Sequence, residues 1–304
     1  MQLVLATDEQ KRARDAVTFR AWGGRLSLEQ YLEREVHLRS TSWASDAMET
    51  WLWLNAQGQV LSSCETFRTE SQVGNAHGHA YAIASVFTES TLRGQGHATA
   101  LVDALCDTLK QRPRAQVCVL FSEVGASLYE SSHFLELPSF DWVAPAQDVP
   151  LEARVTLLKS APASFSKHPD TLPAGHLSIN ACLNQLEWHW AREQFYAKAL
   201  KRPSLTGRGM QCGAVEAVWM EYAKTRELLV LWTNARTAAE ATVVLKAGQK
   251  VAFDAGLQQV RLWETAPLKI TVGKRVSRDE ELPMYRSLGP AITEWVDVQR
   301  VHWV

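Results

Sequence analysis

The chain has 304 residues, of which 46% are hydrophobic and 21% charged, a composition typical of a globular protein with one large or two ordinary domains. Its formal net charge is -1 and no run of lysine and arginine stands out, which argues against a nucleic acid partner and favours a small molecule. No apolar stretch reaches membrane-spanning length, and the N-terminus lacks the basic-then-apolar order of a signal peptide, so we expect no membrane partner.

The first half of the chain alternates helical and strand patterns. Two helices come first, the second capped by Ser27, and they are followed by a hairpin that turns at residues 55–58. A third strand, a glycine loop, an amphipathic helix, a core strand, a short helix and a closing strand complete this half. We predict these elements at residues 8–22, 28–40, 48–69 (the hairpin), 78–88, 97–112, 115–121, 123–134 and 153–159.

A stretch rich in proline, serine and alanine at residues 159–176 is the best candidate for a linker. It divides the chain into a first domain, residues 1–158, and a second domain, residues 177–304. The order of elements in the second domain echoes part of the first, although it has no second glycine loop. We predict a long helix, a strand-turn-strand, a helix and two strands at residues 177–201, 214–234, 237–256, 258–265 and 294–304.

Cysteine and histidine residues are scattered rather than clustered. None of the five cysteines forms a C-x-x-C pair: they are Cys64, Cys106, Cys118, Cys182 and Cys212. This pattern is typical of reduced thiols, so we expect a cytoplasmic protein without disulfides or a zinc site. His77 and His79 lie close together but lack a third ligand, which favours an exposed loop, and we expect no metal cofactor.

The most informative segment is residues 85–112, where a strand is followed by a loop containing Gly94 and Gly96 and then by a helix. Small residues at positions 94, 96 and 98 leave the amide groups of the first helical turn uncovered. Together with the helix dipole, these groups can hold phosphates. A tight turn without a ligand is the alternative. The helix has an apolar face suited to a sheet, formed by Ala98, Leu101, Val102, Leu105 and Leu109.

The loop fits neither common nucleotide motif, because Thr99 stands where a dinucleotide fingerprint needs its third glycine and the Gly-Lys-Ser/Thr of a P-loop is absent. The pattern of Arg93, Gly96 and Ala98 instead resembles the acyl-CoA pyrophosphate loop of the GNAT N-acetyltransferase superfamily. The order of elements in residues 1–158 resembles that fold too. The resemblance implies an α/β (α+β) protein with a mixed, splayed sheet and helices on both faces, plus a second, smaller GNAT-like α/β unit.

The resemblance also implies acetyl-CoA as the cosubstrate. In this family the strand before the loop splays from the next strand, so that its backbone groups, here at Val86 and Thr88, pair with the pantetheine arm. Arg93 opens the motif. The loop amides would cradle the pyrophosphate, and they belong to Gly94, Gln95, Gly96, His97 and Ala98.

A second stretch, GASLYESSHF at residues 125–134, resembles the family's helix motif that places a tyrosine near the cofactor sulfur. It departs from the motif at His133, where the family usually has glycine. The resemblance implies that Tyr129 is the general acid that protonates the leaving thiolate. A phenol suits this step because its pKa of about 10 keeps it protonated at neutral pH. A purely structural tyrosine is the alternative.

The likeness is narrower still at residues 21–35, 58–69, 84–96 and 121–134, which together resemble the fungal lysine acetyltransferase branch of the superfamily. That branch also carries a C-terminal extension, and its closing segment resembles EWVDVQRVHWV. The resemblance implies that the acceptor is the side-chain amine of free L-lysine. Other acceptors stay open: a polyamine, an amino-bearing toxin or a protein lysine. A non-catalytic CoA-binding module that docks a protein is the alternative from another class.

The reaction needs a base, because an ammonium group with a pKa of about 10.4 must lose a proton before it can attack. Glu65 lies on the strand SSCETFR, where alternation can direct it into the cleft, and Glu123 follows the strand CVLF, where the sheet should splay. Either carboxylate, or water, can accept the proton. The alternative for each is a solvated or salt-bridged surface charge.

We expect the second domain, residues 177–304, to shape the acceptor pocket rather than bind CoA, because it lacks an anion loop and is rich in aromatic residues. A free amino acid also needs groups that hold its zwitterionic head. In this fold the loop between the first two helices overhangs the acceptor. It supplies Trp22 and Arg25, which we expect to bind the substrate, with Arg20 and Arg68 within reach. The alternative is that the arginines are solvated and that Trp22 closes the core.

Overall fold

The computed structural model describes residues 1–165, 167 and 170–304 and contains two mixed β-sheets with helices packed on them. The helices are α1 (Asp8–Trp22), α2 (Leu28–Arg39), α3 (Ser42–Ala47), α4 (His97–Lys110), α5 (Ser127–Glu130), α6 (Leu183–Ala199) and α7 (Ala238–Asp254). The strands up to residue 158 are β1 (Gln2–Leu5), β2 (Met48–Leu54), β3 (Val60–Val73), β4 (Ala76–Phe87), β5 (Ala115–Ser122), β6 (Leu135–Glu136), β7 (Phe140–Pro145) and β8 (Val155–Leu158). The later strands are β9 (His176–Ile179), β10 (Gly209–Cys212), β11 (Val215–Tyr222), β12 (Glu227–Thr233), β13 (Gln259–Trp263), β14 (Lys274–Ser277), β15 (Leu282–Ser287) and β16 (Glu294–Trp295).

Both sheets are built around one parallel strand pair joined by a helix. The first sheet has the order β1-β2-β3-β4-β5-β15-β6, with β9 beside β3 and β16 beside β9. Its strands β4 and β5 are parallel, and α4 connects them. The second sheet has the order β14-β7-β13-β12-β11-β10-β8, where α7 connects the parallel strands β12 and β13. The predicted α/β class, with a second α/β unit, is confirmed.

Helices cover both faces of the first sheet because side chains alternate along its strands. One face packs against α4, with leucines at a spacing of four residues, and the other packs against α3 and α6. The first face includes Tyr81, Ile83, Leu101, Leu105, Leu109, Cys118 and Leu120. The second includes Trp43, Phe67, Ala82, Val117, Val119 and Trp188.

The two sheets exchange strands. The late strand β15 pairs with β5 and β6 and so completes the first sheet. Conversely, β7 pairs with β13 and β14 in the second sheet. The closing strand predicted at residues 153–159 is present as β8, and it pairs with β10 in the second sheet. The division into residues 1–158 and 177–304 stays a prediction.

Two further expectations are corrected. The helix predicted from residue 177 begins at Leu183, because the preceding residues form β9 against β3. The strand predicted at residues 294–304 is limited to β16, and a single turn of 3₁₀ helix follows. Side chains hold this segment instead: the Gln299 amide donates to the Thr233 carbonyl at 2.9 Å, and the buried Arg300 lies 2.8 Å from Glu281.

The predicted linker at residues 159–176 includes three residues that lie outside the described part of the chain. Among the described helices, none combines the length and the apolar character that crossing a membrane requires. Residues 1–165, 167 and 170–304 also contain no group of three or more histidine, cysteine or acidic side chains placed to hold a metal ion. All five cysteines are free thiols.

Candidate active site

The parallel strands β4 and β5 separate before they end. They pair as far as Ala82 and Val119, after which β5 pairs only with β15 on its other side. On β4 the opposite edge stays bonded to β3 as far as Phe87. A change in register near Ser85, whose φ is 51°, bends β4 at this point. The backbone groups of the last β4 residues therefore face an open gap.

A cavity of about 960 Å³ fills this gap and extends towards α6. It brings together residues from the first helices, the diverging strands, the glycine loop, the segment after β5 and the second half of the chain. Of the site residues predicted from the sequence, Gln95 does not line it, because its side chain bonds to the Thr91 carbonyl at 3.4 Å. The others do: Trp22, Arg25, Glu65, Val86, Thr88, Arg93, Gly94, Gly96, His97, Ala98, Glu123 and Tyr129.

The glycine loop presents unused amide groups to the cavity. Gly94 and Gly96 have φ values of 73° and 78°, which glycine adopts without strain, and a Cβ at either position would meet nothing within 4 Å. Gly96 is the N-cap of α4, and no side chain caps the helix. Arg93 closes the loop by donating a hydrogen bond from Nε to the Thr88 carbonyl at 3.0 Å. An uncapped helix start of this kind favours an anion.

Tyr129 lies on the short helix α5, directly after β5, and is buried against Phe134. Burial raises the pKa of its phenol, and the nearby Cys64 and Glu123 raise it further. Its hydroxyl makes no hydrogen bond to any described residue, and the side chain lines the cavity. Tyr129 is therefore a protonated phenol beside the gap, which is the state that a general acid needs.

The two candidate bases differ in their surroundings. Glu65 is buried, and its carboxylate lies 2.7 Å from the Arg14 guanidinium. Burial raises the pKa of Glu65, and Arg14 opposes that effect. Glu123 is exposed at the cavity and has no ion pair with a described residue. The surrounding protein reduces the hydration of the Glu123 carboxylate and so raises its pKa, and the charge of Lys224 partly offsets this effect. Both carboxylates reach the cavity, but only Glu123 is unpaired.

The expected acceptor residues are partly brought to the cavity. Trp22 is half-buried at the end of α1, with its ring 5.6 Å from that of Phe87, and Arg25 is exposed on the following loop. Neither Arg20 nor Arg68 lines the cavity. Arg68 instead bonds to Asp46 at 3.0 Å, so its expected reach is wrong.

The second half of the chain supplies one wall of the cavity. Residues 177–304 were expected to shape the acceptor pocket, but the sequence did not identify which residues form this wall. Helix α6 contributes Trp188, Arg192 and Tyr196, and the last residues, Trp303 and Val304, lie beside them. The sequence contained one indication of this wall. Trp188, Arg192 and Tyr196 are spaced four residues apart, which aligns their side chains on one face of the helix. The opposite wall of the cavity comes from β4 and β5, more than 60 residues earlier, so the alignment alone could not show that this face of α6 borders a cavity.

Two family models match the chain, and between them they account for most of it. The model of the acetyltransferase (GNAT) family matches residues 18–136. The model described as the LYC1 GNAT-like C-terminal domain matches residues 155–304. No curated protein matches in a comparison of sequences.

Solved structures share the fold at low sequence identity. A conserved Enterococcus faecalis protein described as a probable N-acyltransferase has a TM-score of 0.59 and 11% identity, over 94% of this chain and 72% of that one. A GCN5-related N-acetyltransferase from Anabaena variabilis has a TM-score of 0.56 and 11% identity, over 95% and 73%. Eis1 from Mycobacterium abscessus has a TM-score of 0.54 and 13% identity, over 94% and 73%.

Proposed function

Because this chain belongs to the GNAT superfamily and is an acyl-CoA-dependent N-acetyltransferase, we propose that it transfers the acetyl group of acetyl-CoA to the side-chain amine of free L-lysine. One observation supports the part of this proposal that concerns acetyl-CoA. The amides of the glycine loop and the phenol of Tyr129 border one cavity, at the gap between β4 and β5.

The part of the proposal that concerns the amine acceptor rests on the second family model. The domain that matches residues 155–304 is the C-terminal domain of the branch that the chain resembles, and it forms the α6 wall of the cavity. This wall, together with Trp22 at the end of α1 and Arg25 on the loop that follows, borders the space into which an amine must enter. A small-molecule acceptor fits a cavity of about 960 Å³ better than a folded partner does.

The residues divide the reaction among them. The amides of residues 94 and 96–98 bind the pyrophosphate, and the backbone of Val86 in β4 and of Thr88 directly after it aligns the pantetheine arm. Glu65 is paired with Arg14, so we assign the base to Glu123, which directly or through water accepts a proton from the ammonium group, whose pKa of about 10.4 would otherwise keep it charged. The neutral amine attacks the thioester carbonyl. A β4 amide stabilises the oxyanion, and Tyr129 protonates the departing thiolate.

Steady-state rates with a panel of acceptors test the proposal. L-lysine, ornithine, N-α-blocked lysine, spermidine and a lysine-containing peptide are compared at one acetyl-CoA concentration by thiol release. We expect lysine to have the highest kcat/KM and the blocked forms to fail. A clear preference for spermidine or the peptide would reject lysine as the acceptor. Tight CoA binding without any turnover would favour a non-catalytic module.

The proposal includes a cytoplasmic location. All five cysteines are free thiols, as expected in a reducing compartment. Fractionation of cells that express a tagged protein would test this directly.

A further inference from the structure

We propose that Arg192 binds a carboxylate of the acceptor and thereby makes the enzyme act on amino acids rather than on polyamines. The inference rests on the proposed function, because it requires the cavity to receive an amine. It goes further by assigning the recognition of the acceptor's negative charge to one residue of α6.

Arg192 lies on the face of α6 that borders the cavity. Trp188 and Tyr196 stand four residues before and after it, so the three side chains are aligned along the helix and all line the cavity. The opposite wall is the gap between β4 and β5. A ligand group held at Arg192 therefore faces the strands between which the thioester is expected to lie.

Three aromatic rings hold the Arg192 guanidinium. Its central carbon lies 4.9 Å from the ring centre of Trp303, 5.7 Å from that of Tyr222 and 5.8 Å from that of Trp188. Contacts with ring faces stabilise a cation but accept none of its five N–H groups in the plane of the guanidinium. Within the described residues, these donors form no hydrogen bond or ion pair. A fixed guanidinium with free donors suits bidentate binding of a carboxylate.

Other arginines of the cavity are already engaged. Arg14 is paired with Glu65, and Arg34 bonds to Glu35 and to the Tyr196 hydroxyl. Arg93 donates to the backbone of its own loop. Arg25 is unpaired as well, but it is exposed, so water can satisfy it. Arg192 is partly buried, and a partly buried cation gains more from an incoming anion than a solvated one does.

Glu123 lines the same cavity as Arg192 and Tyr129 and interacts electrostatically with both. Burial, then Cys64 and then the charge of Glu123 raise the pKa of Tyr129. Arg192 in turn lowers the pKa of Glu123. The charged atoms of Arg192 and Glu123 lie more than 4 Å apart, so these two side chains form no ion pair. Because both residues line one cavity, an amino acid with its carboxylate at Arg192 can bring its side-chain amine to Glu123, the proposed base.

Three ligands separate the two ends of lysine. Cadaverine is lysine without its carboxylate, and 6-aminohexanoate is lysine without its α-amine. Acetylation kinetics are measured for lysine and both analogues with wild type, Arg192→Gln and Arg192→Lys. Arg20→Gln is the matched control, because Arg20 is exposed and does not line the cavity. Calorimetric titration with the same three ligands in the presence of CoA measures binding without turnover.

We expect Arg192→Gln to raise the KM for lysine and 6-aminohexanoate by about 10- to 100-fold, as for loss of a hydrogen-bonded charge pair, with little change for cadaverine. Arg192→Lys should recover part of the loss, and Arg20→Gln should behave as wild type. Equal effects on all three ligands, or none, would overturn the inference even if lysine is acetylated. If nothing is acetylated, the proposed function fails, and calorimetry decides on Arg192: a Gln variant that binds 6-aminohexanoate as tightly as wild type overturns the inference, and weaker binding supports it.

Discussion

The Arg14 guanidinium lies 2.7 Å from the Glu65 carboxylate, and both side chains are almost fully buried beneath the bend in β4. Arg14 also donates to the Ser85 carbonyl at 2.9 Å and to the Ser63 hydroxyl at 3.1 Å. The pair therefore holds β3, β4 and α1 together at the point where the sheet opens. This arrangement suits a structural role for Glu65 and leaves Glu123 as the free carboxylate.

Replacement of the two carboxylates by glutamine should separate these roles. Glu123→Gln should lower kcat/KM by about 10- to 1,000-fold, the range of acid–base contributions, with unchanged stability. Glu65→Gln should instead lower the free energy of unfolding by about 3 kcal/mol, because it removes the closer of the two carboxylates beside the buried Arg14 guanidinium and leaves only Asp15, at 4.0 Å. Urea unfolding and steady-state kinetics of both variants provide the comparison. An active Glu123→Gln enzyme with an unchanged pH profile would point to water as the base.

The anion site predicts the effect of a charge in the loop. Gly96→Glu should abolish CoA binding, since it places negative charge at the amides that bind the pyrophosphate. Gly58→Glu is the control, because Gly58 has a similar φ of 79° and equally open surroundings on the distant hairpin. Calorimetry should find wild-type CoA affinity only in the control. Tight CoA binding by Gly96→Glu would remove the loop from the cofactor site.

The role of Tyr129 can be tested by removing one oxygen atom. Tyr129→Phe keeps the ring's packing and should reduce turnover by about 10- to 1,000-fold, with little change in CoA affinity. Tyr285→Phe, whose hydroxyl bonds to the Ile292 carbonyl at 3.4 Å away from the cavity, should keep full activity. Stopped-assay rates across pH distinguish the two variants. Equal turnover in both would make Tyr129 structural.

His189 predicts how stability depends on pH. It is fully buried, and its Nε2–H donates to the Val301 carbonyl at 2.9 Å. Burial lowers its pKa to about 3, from the usual 6.5. Below pH 6.5 the unfolded chain therefore binds a proton that the folded protein does not, and stability falls as the pH drops towards 3.

The matching experiment compares wild type with His189→Gln, which keeps a donor but cannot titrate. Between pH 6.5 and 5, the stability advantage of wild type over the variant should shrink by about 2 kcal/mol, at about 1.4 kcal/mol per pH unit. Urea unfolding at both pH values measures this difference. A constant advantage would mean that His189 is protonated in the folded protein.

The local parts of this site were readable in the sequence. Helix α1 occupies the predicted residues 8–22, because Thr7 caps it and its polar spacing is helical. The glycine loop and α4 were likewise predictable, since φ above zero and an apolar stripe are properties of neighbouring residues. Each of these signals lies within a few turns of chain.

The parts that depend on distant pairing were not readable. Strand β15, residues 282–287, completes the first sheet, but its own sequence does not indicate which of the two sheets it joins. The run at residues 294–304 alternates like a strand, yet side-chain bonds hold most of it as irregular chain. Arg192 was missed for the same reason, because its free donors are evident only once the three rings that surround it are known.

Because β15 belongs to the first sheet, the second half of the chain cannot be deleted without disturbing that sheet. A fragment ending near residue 158 would lose β15 and expose the edge of β5, with its unpaired backbone groups. Selectivity of the second half for the acceptor is therefore better tested by point variants on α6 than by truncation.

The most direct test of the account is to follow the acetyl group itself. Acetyl-CoA labelled with ¹³C in the acetyl group is incubated with the enzyme and L-lysine, and the product is examined by NMR for coupling between the label and the lysine nitrogens. The account predicts ¹³C-acetyl on the side-chain nitrogen, and none when Gly96→Glu replaces the wild-type enzyme. Label on the α-nitrogen, or no label on lysine at all, would contradict it.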